Sequence, residues 1–307
     1  MNRIIIDSDA GVDDAHAILL AFGHQDTVIE AITSVSGNVD VEKTTANVLK
    51  VLDVVGADVP VFRGCDRPLV RQPHHAAYVH GEDGLGDCGI PASNKTVQEK
   101  HAVQALIDFG NHHTGQLSLV AIGPLTNIAA ALILDPSLPS KYKNLTIMGG
   151  AVSGRGNTNI NAEFNMYFDP EAAAIVFQRW PMTRLLDWEA TLAAGITEQE
   201  LELLLHVDTK KGAFFRKTNQ NSLKFIKKML KVDMMFAPDG LAMASALDPQ
   251  IVKRSENHYM TVSLDQTITR GQTIIDWFDR SGNEPNVEII MDVDQSRFIA
   301  MLLDGLR

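Results

Sequence analysis

IIIDSDAGVDDAHA, residues 4–17, places four carboxylates, Asp7, Asp9, Asp13 and Asp14, directly behind an apolar run. Uninterrupted β-branched residues over Arg3–Ile6 predict a short buried strand. Alternation along an extended chain puts the Asp7 and Asp9 side chains on one side of the strand's end. Gly11 permits the turn, and Asp13 and Asp14 then open a helix whose apolar face includes Ala17, Ile18 and Leu20. A helix dipole favours carboxylates in the first turn by only about 0.3–1 kcal/mol. Two carboxylates about 5 Å apart repel by roughly 3 kcal/mol at an effective dielectric of about 20. The dipole cannot cover several such pairs, so the cluster calls for shared protons or a cation.

Three readings meet that demand differently. A solvated helix cap needs no ligand, but strand ends in α/β folds form the site-bearing edge of the sheet. An EF-hand loop needs glycine at its sixth position and glutamate at its twelfth. Counting from Asp7, those positions hold Val12 and Ile18, so the EF-hand pattern fails. An open catalytic site, with some carboxylates on a hard cation and another acting as base, fits the residue types.

The strand–turn–helix pattern recurs. TVIEAITSVSGN (27–38) predicts a strand ending at Gly37-Asn38, followed by a helix over Thr44–Val55. LSLVAIGPLTNIAAALI (117–133) runs strand, turn, helix, and LTIMGG (145–150) is a further apolar strand. Asp169 caps a helix that has Pro170 in its first position. VEIIMDVDQSRFIAMLLDGL (287–306) closes with strand and helix. Such units predict one α/β domain over residues 1–307, with a largely parallel central sheet and helices on both faces.

The chain carries 27 basic and 38 acidic residues, a net charge of −11, and 45% hydrophobic residues. That balance argues against nucleic acid or an anionic membrane as partner. The lysine-rich stretch 217–232 reads as an amphipathic helix with a solvated face. Cys65 and Cys88 imply neither a disulfide framework nor a zinc site. His74-His75 and His112-His113 read as surface loop residues. No signal pattern precedes Ile4 and no apolar run reaches the ~18 residues of a membrane span, which leaves a cytoplasmic setting as the expectation. The strand-end polar residues are the four aspartates, Asn38, Thr126, Asn127, the segment 156–165 and Asp239. Oxygen donors of this kind suit calcium or magnesium, and aspartates with amides also suit a polyhydroxylated sugar.

DSDAGVDDAHA resembles the N-terminal signature of the nucleoside hydrolases, usually written DTDPGxDDAxA; Ser8 and Ala10 depart from it. Further segments agree in family order: SGN at Asn38, HGEDGLG (80–86), GPLTN (123–127), MGGA (148–151), AEFNMYFDPEAA (162–173), PDGLAMASALDP (238–249) and TRGQTIIDW (269–277). The resemblance implies the Rossmann-like nucleoside hydrolase fold and calcium-dependent hydrolysis of ribonucleosides to ribose and base, by a homodimer or homotetramer. It implies Asp9, Asp14, Asp239 and the main-chain carbonyl of Thr126 as calcium ligands, with Asp9 also the general base and Asn38 orienting the water or the metal shell. Asp13 would take the ribose 2′-hydroxyl, Asp239 the 3′-hydroxyl, Asn165 the ribose, and Asn157 with Glu163 the 5′-hydroxyl. Asp7 would sit behind the ligands.

One departure bears on mechanism. Many members place histidine, implicated in protonating the base, where this chain has Pro238. His80 or Tyr78 could supply that function, or an aromatic ring could stack on a purine; Trp188 is available but reads more simply as core. Base preference would lie in the loops around 74–88 and 217–238. The haloacid-dehalogenase pattern DxDx[TV] is broken by Ala10-Gly11-Val12, and a calcium-dependent ribose or nucleoside binder without catalysis is the non-enzyme alternative.

Overall fold

Ile4 and Ile6 point into one apolar core and Ile5 into another, and all three are fully buried. A strand apolar on both faces needs cover on both, and each isoleucine contributes about 1.5–3 kcal/mol by leaving water. These residues lie in β1 (Asn2–Ser8), inside a nine-stranded sheet. The computed structural model describes the backbone of residues 1–307 and every side chain except that of Leu230.

The remaining strands are β2 (Thr27–Ser34), β3 (Val61–Arg63), β4 (Ser118–Ala121), β5 (Asn144–Met148), β6 (Thr183–Leu186), β7 (Val252–Val262), β8 (Thr273–Asp276) and β9 (Val287–Val293). Their order is β3-β2-β1-β4-β5-β6-β9-β7-β8. Every pair from β3 across to β9 is parallel, whereas β7 pairs antiparallel with both β9 and β8. The sequence of β7, VKRSENHYMTV, lacks the apolar run of a strand covered on both faces, and the βα reading passed over it.

The helices are α1 (Val12–Gly23), α2 (Val41–Val55), α3 (Ala77–His80), α4 (Ala102–His112), α5 (Thr126–Leu134), α6 (Phe164–Phe168), α7 (Pro170–Arg179), α8 (Trp188–Ala193), α9 (Glu198–Leu205), α10 (Lys210–Leu230), α11 (Pro238–Leu247) and α12 (Gln295–Leu306). One core joins α1, α2, α10, α11 and α12 to the Ile4–Ile6 face, and the other joins α4, α5 and α7 to the Ile5 face. No helix among the described residues is long and apolar enough to cross a membrane.

Chain order reverses between β1 and β4, which leave in opposite directions across the sheet. Open α/β sheets bind ligands outside the strand C-termini at such a point. There β1 delivers Asp9 and β4 delivers the turn into α5. β2 stops at Ser34, earlier than its sequence predicts, because Val35–Asn38 turn away to meet Asp9. Helix α1 is held close from behind: a Cβ on Gly23 would stand 2.5 Å from the Gly305 Cα of α12, so only glycines allow this approach.

Candidate active site

The turn after β1 is built by its own polar side chains. Ser8 Oγ accepts from Ala10 N (3.0 Å) and donates to Asp14 Oδ1 (2.6 Å), while Gly11 N donates to Asp14 Oδ2 (2.9 Å). Ala10 takes a positive φ of 28°, outside the ordinary range for an L residue. The turn aims Asp9 and the first turn of α1 at the same space. Asn38 closes the other side, its main-chain N–H donating to Asp9 Oδ2 (2.7 Å) and its amide to Asp14 Oδ2 (3.2 Å). Asp9 is wedged between glycines: a Cβ would lie 2.1 Å from its Oδ2 at Gly37 and 2.9 Å from its Oδ1 at Gly123.

Asp13, Asp14 and Asp239 each present an oxygen within 4.8 Å of the others. Asp239 arrives in the first turn of α11, behind Pro238. Asp9 Oδ1 and Asp13 Oδ1 are buried with no hydrogen-bond partner among the described residues. Burial, followed by the charge of Asp14, pushes Asp9 well above the usual carboxylate range. Burial and then the charges of Asp13, Asp14 and Asp9 do the same to Asp239, and burial with Asp13 raises Asp14. Anionic oxygens so buried and so close fit a hard divalent cation, which satisfies orphaned lone pairs and relieves the mutual repulsion at once.

Asp7 stands apart from that group. It accepts from Thr33 Oγ1 (2.5 Å) and Asn127 Nδ2 (2.8 Å), and burial pushes it up to about 6 despite those bonds. The Thr126 hydroxyl is also engaged elsewhere, donating to Asp169 Oδ2 (2.7 Å), so its side chain is not offered to the cluster.

Above the carboxylates opens a cavity of about 320 Å³, walled by Asp9, Asp13, Asn38, His80, Asn157, Glu163, Asn165 and Asp239. Every predicted ribose-contacting residue therefore faces one space, whereas Asp14 and Thr126 are buried and do not line it. Glu163 caps α6, accepting from Asn165 N (2.8 Å), Met166 N (3.2 Å) and Gly150 N (2.9 Å), and burial lifts it to about 7 against those bonds. His80 Nδ1 accepts from Val12 N (3.1 Å), which leaves the proton on Nε2 of the neutral ring; Asp13 Oδ1 is 3.7 Å from the same Nδ1.

Several expectations need correction. Trp188 is half-buried and lines the cavity beside Phe236, with centroids 5.9 Å apart, instead of joining a core. His75 does lie in a loop but is half-buried, and its Nδ1 bonds the Gly37 carbonyl (2.8 Å) and braces the Asn38 turn. His112 ends α4. The lysine-rich helix is α10, and its Ser222, Phe225, Ile226 and Met229 form a stripe along the cavity wall.

His16 was missed altogether. It follows Asp13 by three positions, hence shares its helix face, and lines the cavity near Asn219, its Nε2 lying 3.1 Å from Thr218 Oγ1. Burial, with His80 nearby, pulls it down to about 3, so it is uncharged.

Comparison with known proteins identifies the family and the fold. Residues 4–300 match the model of the inosine-uridine preferring nucleoside hydrolase family. The inosine-uridine preferring nucleoside hydrolase of Crithidia fasciculata is 35% identical over 99% of this chain and 97% of its own. A pyrimidine-specific ribonucleoside hydrolase of Shigella flexneri is 34% identical over 99% and 98%. A solved inosine-guanosine nucleoside hydrolase superposes with a TM-score of 0.92 at 34% identity, covering 100% of this chain and 99% of that one. With the strand-end carboxylates in place and the match running almost end to end, the chain belongs to the inosine-uridine preferring nucleoside hydrolase family and is a ribonucleoside N-ribohydrolase.

Proposed function

We infer that the protein releases ribose and free base from ribonucleosides in a calcium-dependent reaction. The observation that carries this reading is the set of buried, partly unpartnered carboxylate oxygens at the floor of a nucleoside-sized cavity. Asp9, Asp14, Asp239 and the Thr126 carbonyl would hold the ion. Bound there, calcium would make a held water more acidic and grip the ribose hydroxyls.

The chain's own groups do the rest. Asn38 N–H pins Asp9 Oδ2, leaving Oδ1 to take the proton of the attacking water. Asp13 accepts from the 2′-hydroxyl and Asp239 from the 3′-hydroxyl, while Asn165 contacts the ribose. Asn157 and Glu163 meet the 5′-hydroxyl, with Glu163 sharing lone pairs already used by main-chain N–H groups. The bond breaks through an oxocarbenium-like state whose positive charge the surrounding carboxylates stabilise.

The base departs with the bonding pair into a space lined by Tyr78, His80, Trp188, Phe225 and Phe236. Pro238 lines the cavity too, and its ring offers no proton. A neutral His80 with its proton on Nε2 can hydrogen-bond the departing nitrogen, and the Tyr78 phenol can protonate it. The reading brings with it a cytoplasmic setting and a homodimer or homotetramer, the latter measurable by sedimentation.

The test is ribose release from inosine, uridine and p-nitrophenyl riboside, with and without a calcium chelator. Nitrophenolate leaves without protonation. Chelator-sensitive cleavage of all three supports the full mechanism, and cleavage of the nitrophenyl riboside alone leaves water activation without base activation. Failure on all three by folded, calcium-loaded protein would replace the hydrolase with a calcium-dependent ribose or nucleoside binder, the reading that Pro238 favours.

A further inference from the structure

Residues 150–155 leave β5 without entering any strand or helix, yet their main-chain N–H groups are almost all taken by side chains. Gly150 N donates to Glu163 Oε2 (2.9 Å), Ala151 N to Thr273 Oγ1 (3.0 Å) and Val152 N to Asp187 Oδ2 (3.0 Å). Ser153 N (3.1 Å), Ser153 Oγ (2.6 Å) and Arg155 N (3.0 Å) all converge on one atom, Glu189 Oε1. Hydrogen bonds to an ionised acceptor are roughly twice as strong as neutral ones, so the Ser153–Arg155 stretch hangs on Glu189 more than on any backbone ladder.

The two acids flank Trp188, whose N–H donates to Gly150 O (2.9 Å) and whose ring lines the cavity. Asp187 is buried and its other oxygen caps α8 through Ala190 N (2.8 Å). Burial and the neighbouring Glu189 push the Asp187 carboxyl well above the usual range, so a protonated Asp187 can donate across the pair while Glu189 stays the anion. Two residues beyond Arg155 comes Asn157, which lines the cavity and accepts from Phe164 N (2.9 Å).

We propose that Glu189 is a positioning residue for recognition of the ribose 5′ end: by gathering three donors from Ser153 and Arg155 on one oxygen, it fixes the segment that delivers Asn157. The proposal rests on the hydrolase reading for the contact between Asn157 and the 5′-hydroxyl. It requires Glu189 to touch no reacting atom.

Glu189→Ala and Glu189→Gln, compared on inosine and 5′-deoxyinosine, test it. Misplacing a contact by about 1 Å can cost roughly 100-fold. We expect Glu189→Ala to lower kcat/KM for inosine by about ten-fold or more, mainly through KM. Cleavage of 5′-deoxyinosine, which lacks the hydroxyl, should change less than about three-fold. Glu189→Gln keeps an acceptor oxygen and should restore the wild-type ratio. Hydrogen exchange of the Ser153 and Arg155 amides should accelerate in Glu189→Ala and not in Glu189→Gln. Unchanged exchange in Glu189→Ala overturns the latch whatever the activity, and accelerated exchange with equal losses on both substrates overturns its link to the 5′ end. Failure of the hydrolase reading looks different: wild-type protein cleaves neither substrate, which overturns the assigned 5′ role, and exchange alone then decides the latch.

Discussion

A Cβ placed on Gly37 would meet Asp9 Oδ2 at 2.1 Å, so Gly37→Ala must displace the carboxylate assigned as base. Expected is a fall of about 100-fold in kcat/KM with an unchanged circular dichroism spectrum; near-normal activity would show that Asp9 can move without cost. Asp14→Asn sets an amide against three donors, Ser8 Oγ, Gly11 N and Asn38 Nδ2. It should weaken calcium binding by about 100-fold or more, read by calorimetry, and unchanged affinity removes Asp14 from the ligand set. The aspartates were legible because charge clusters along the chain itself. Gly37 and Gly123 were not, since the constraint on each comes from a carboxylate on a different strand. Trp188 misled for a related reason: an aromatic residue's type does not say whether a cavity lies beside it.

Helix α1 carries Asp13 and Asp14 in its first turn and is pressed against α12 by the Gly23–Gly305 contact. A Cβ on Gly305 would stand 2.7 Å from the Leu20 Cα, so Gly305→Ala overpacks this contact and should cost about 1–3 kcal/mol in urea unfolding. An unaltered midpoint would mean that the helices part freely. Phe225 of α10 packs on Tyr78 with centroids 5.6 Å apart. Phe225→Ala should raise KM for inosine several-fold and leave kcat nearly intact if the ring, which lines the cavity beside Tyr78, walls the base as proposed. Loss in kcat with KM unchanged would move Phe225 to the chemistry. The parallel strands β1, β2, β4, β5 and β9 were readable from their apolar runs, whereas β3 and β6, of three and four residues, were too short to mark themselves. The β7–β8 margin was not readable either: Lys253, Arg254, Glu256 and Asn257 interrupt β7, leaving too little apolar alternation to mark a strand. The α10 stripe was visible as amphipathicity, but which element its apolar face covers is decided only by tertiary packing.

At the scale of the molecule, the buried carboxylates link stability to pH. Asp7 at about 6 and Glu163 at about 7 exceed their ordinary values, with Asp9, Asp14 and Asp239 raised as well. Groups raised on folding contribute stability that is lost as pH climbs through the folded value. His16, held near 3, acts in the opposite sense but only below its unfolded value of 6.5. Cation-free protein should therefore melt higher at pH 6.5 than at pH 8.5. Calcium should narrow the gap by replacing protons at Asp9, Asp14 and Asp239, and an equal gap with chelator and with calcium would contradict the shared site. The cavity also divides by origin. Its carboxylate floor comes from strand ends and the helix starts they feed, locked by glycines and buried bonds, whereas its aromatic wall comes from Tyr78 and His80 of α3, Trp188 of α8, Phe236 and one face of α10. Relatives named for inosine and uridine, for pyrimidines and for inosine and guanosine are 34–35% identical to this chain. On the proposed reading, substitutions confined to that aromatic wall would change which base is accepted while leaving the carboxylate floor, and with it the bond-breaking chemistry, untouched.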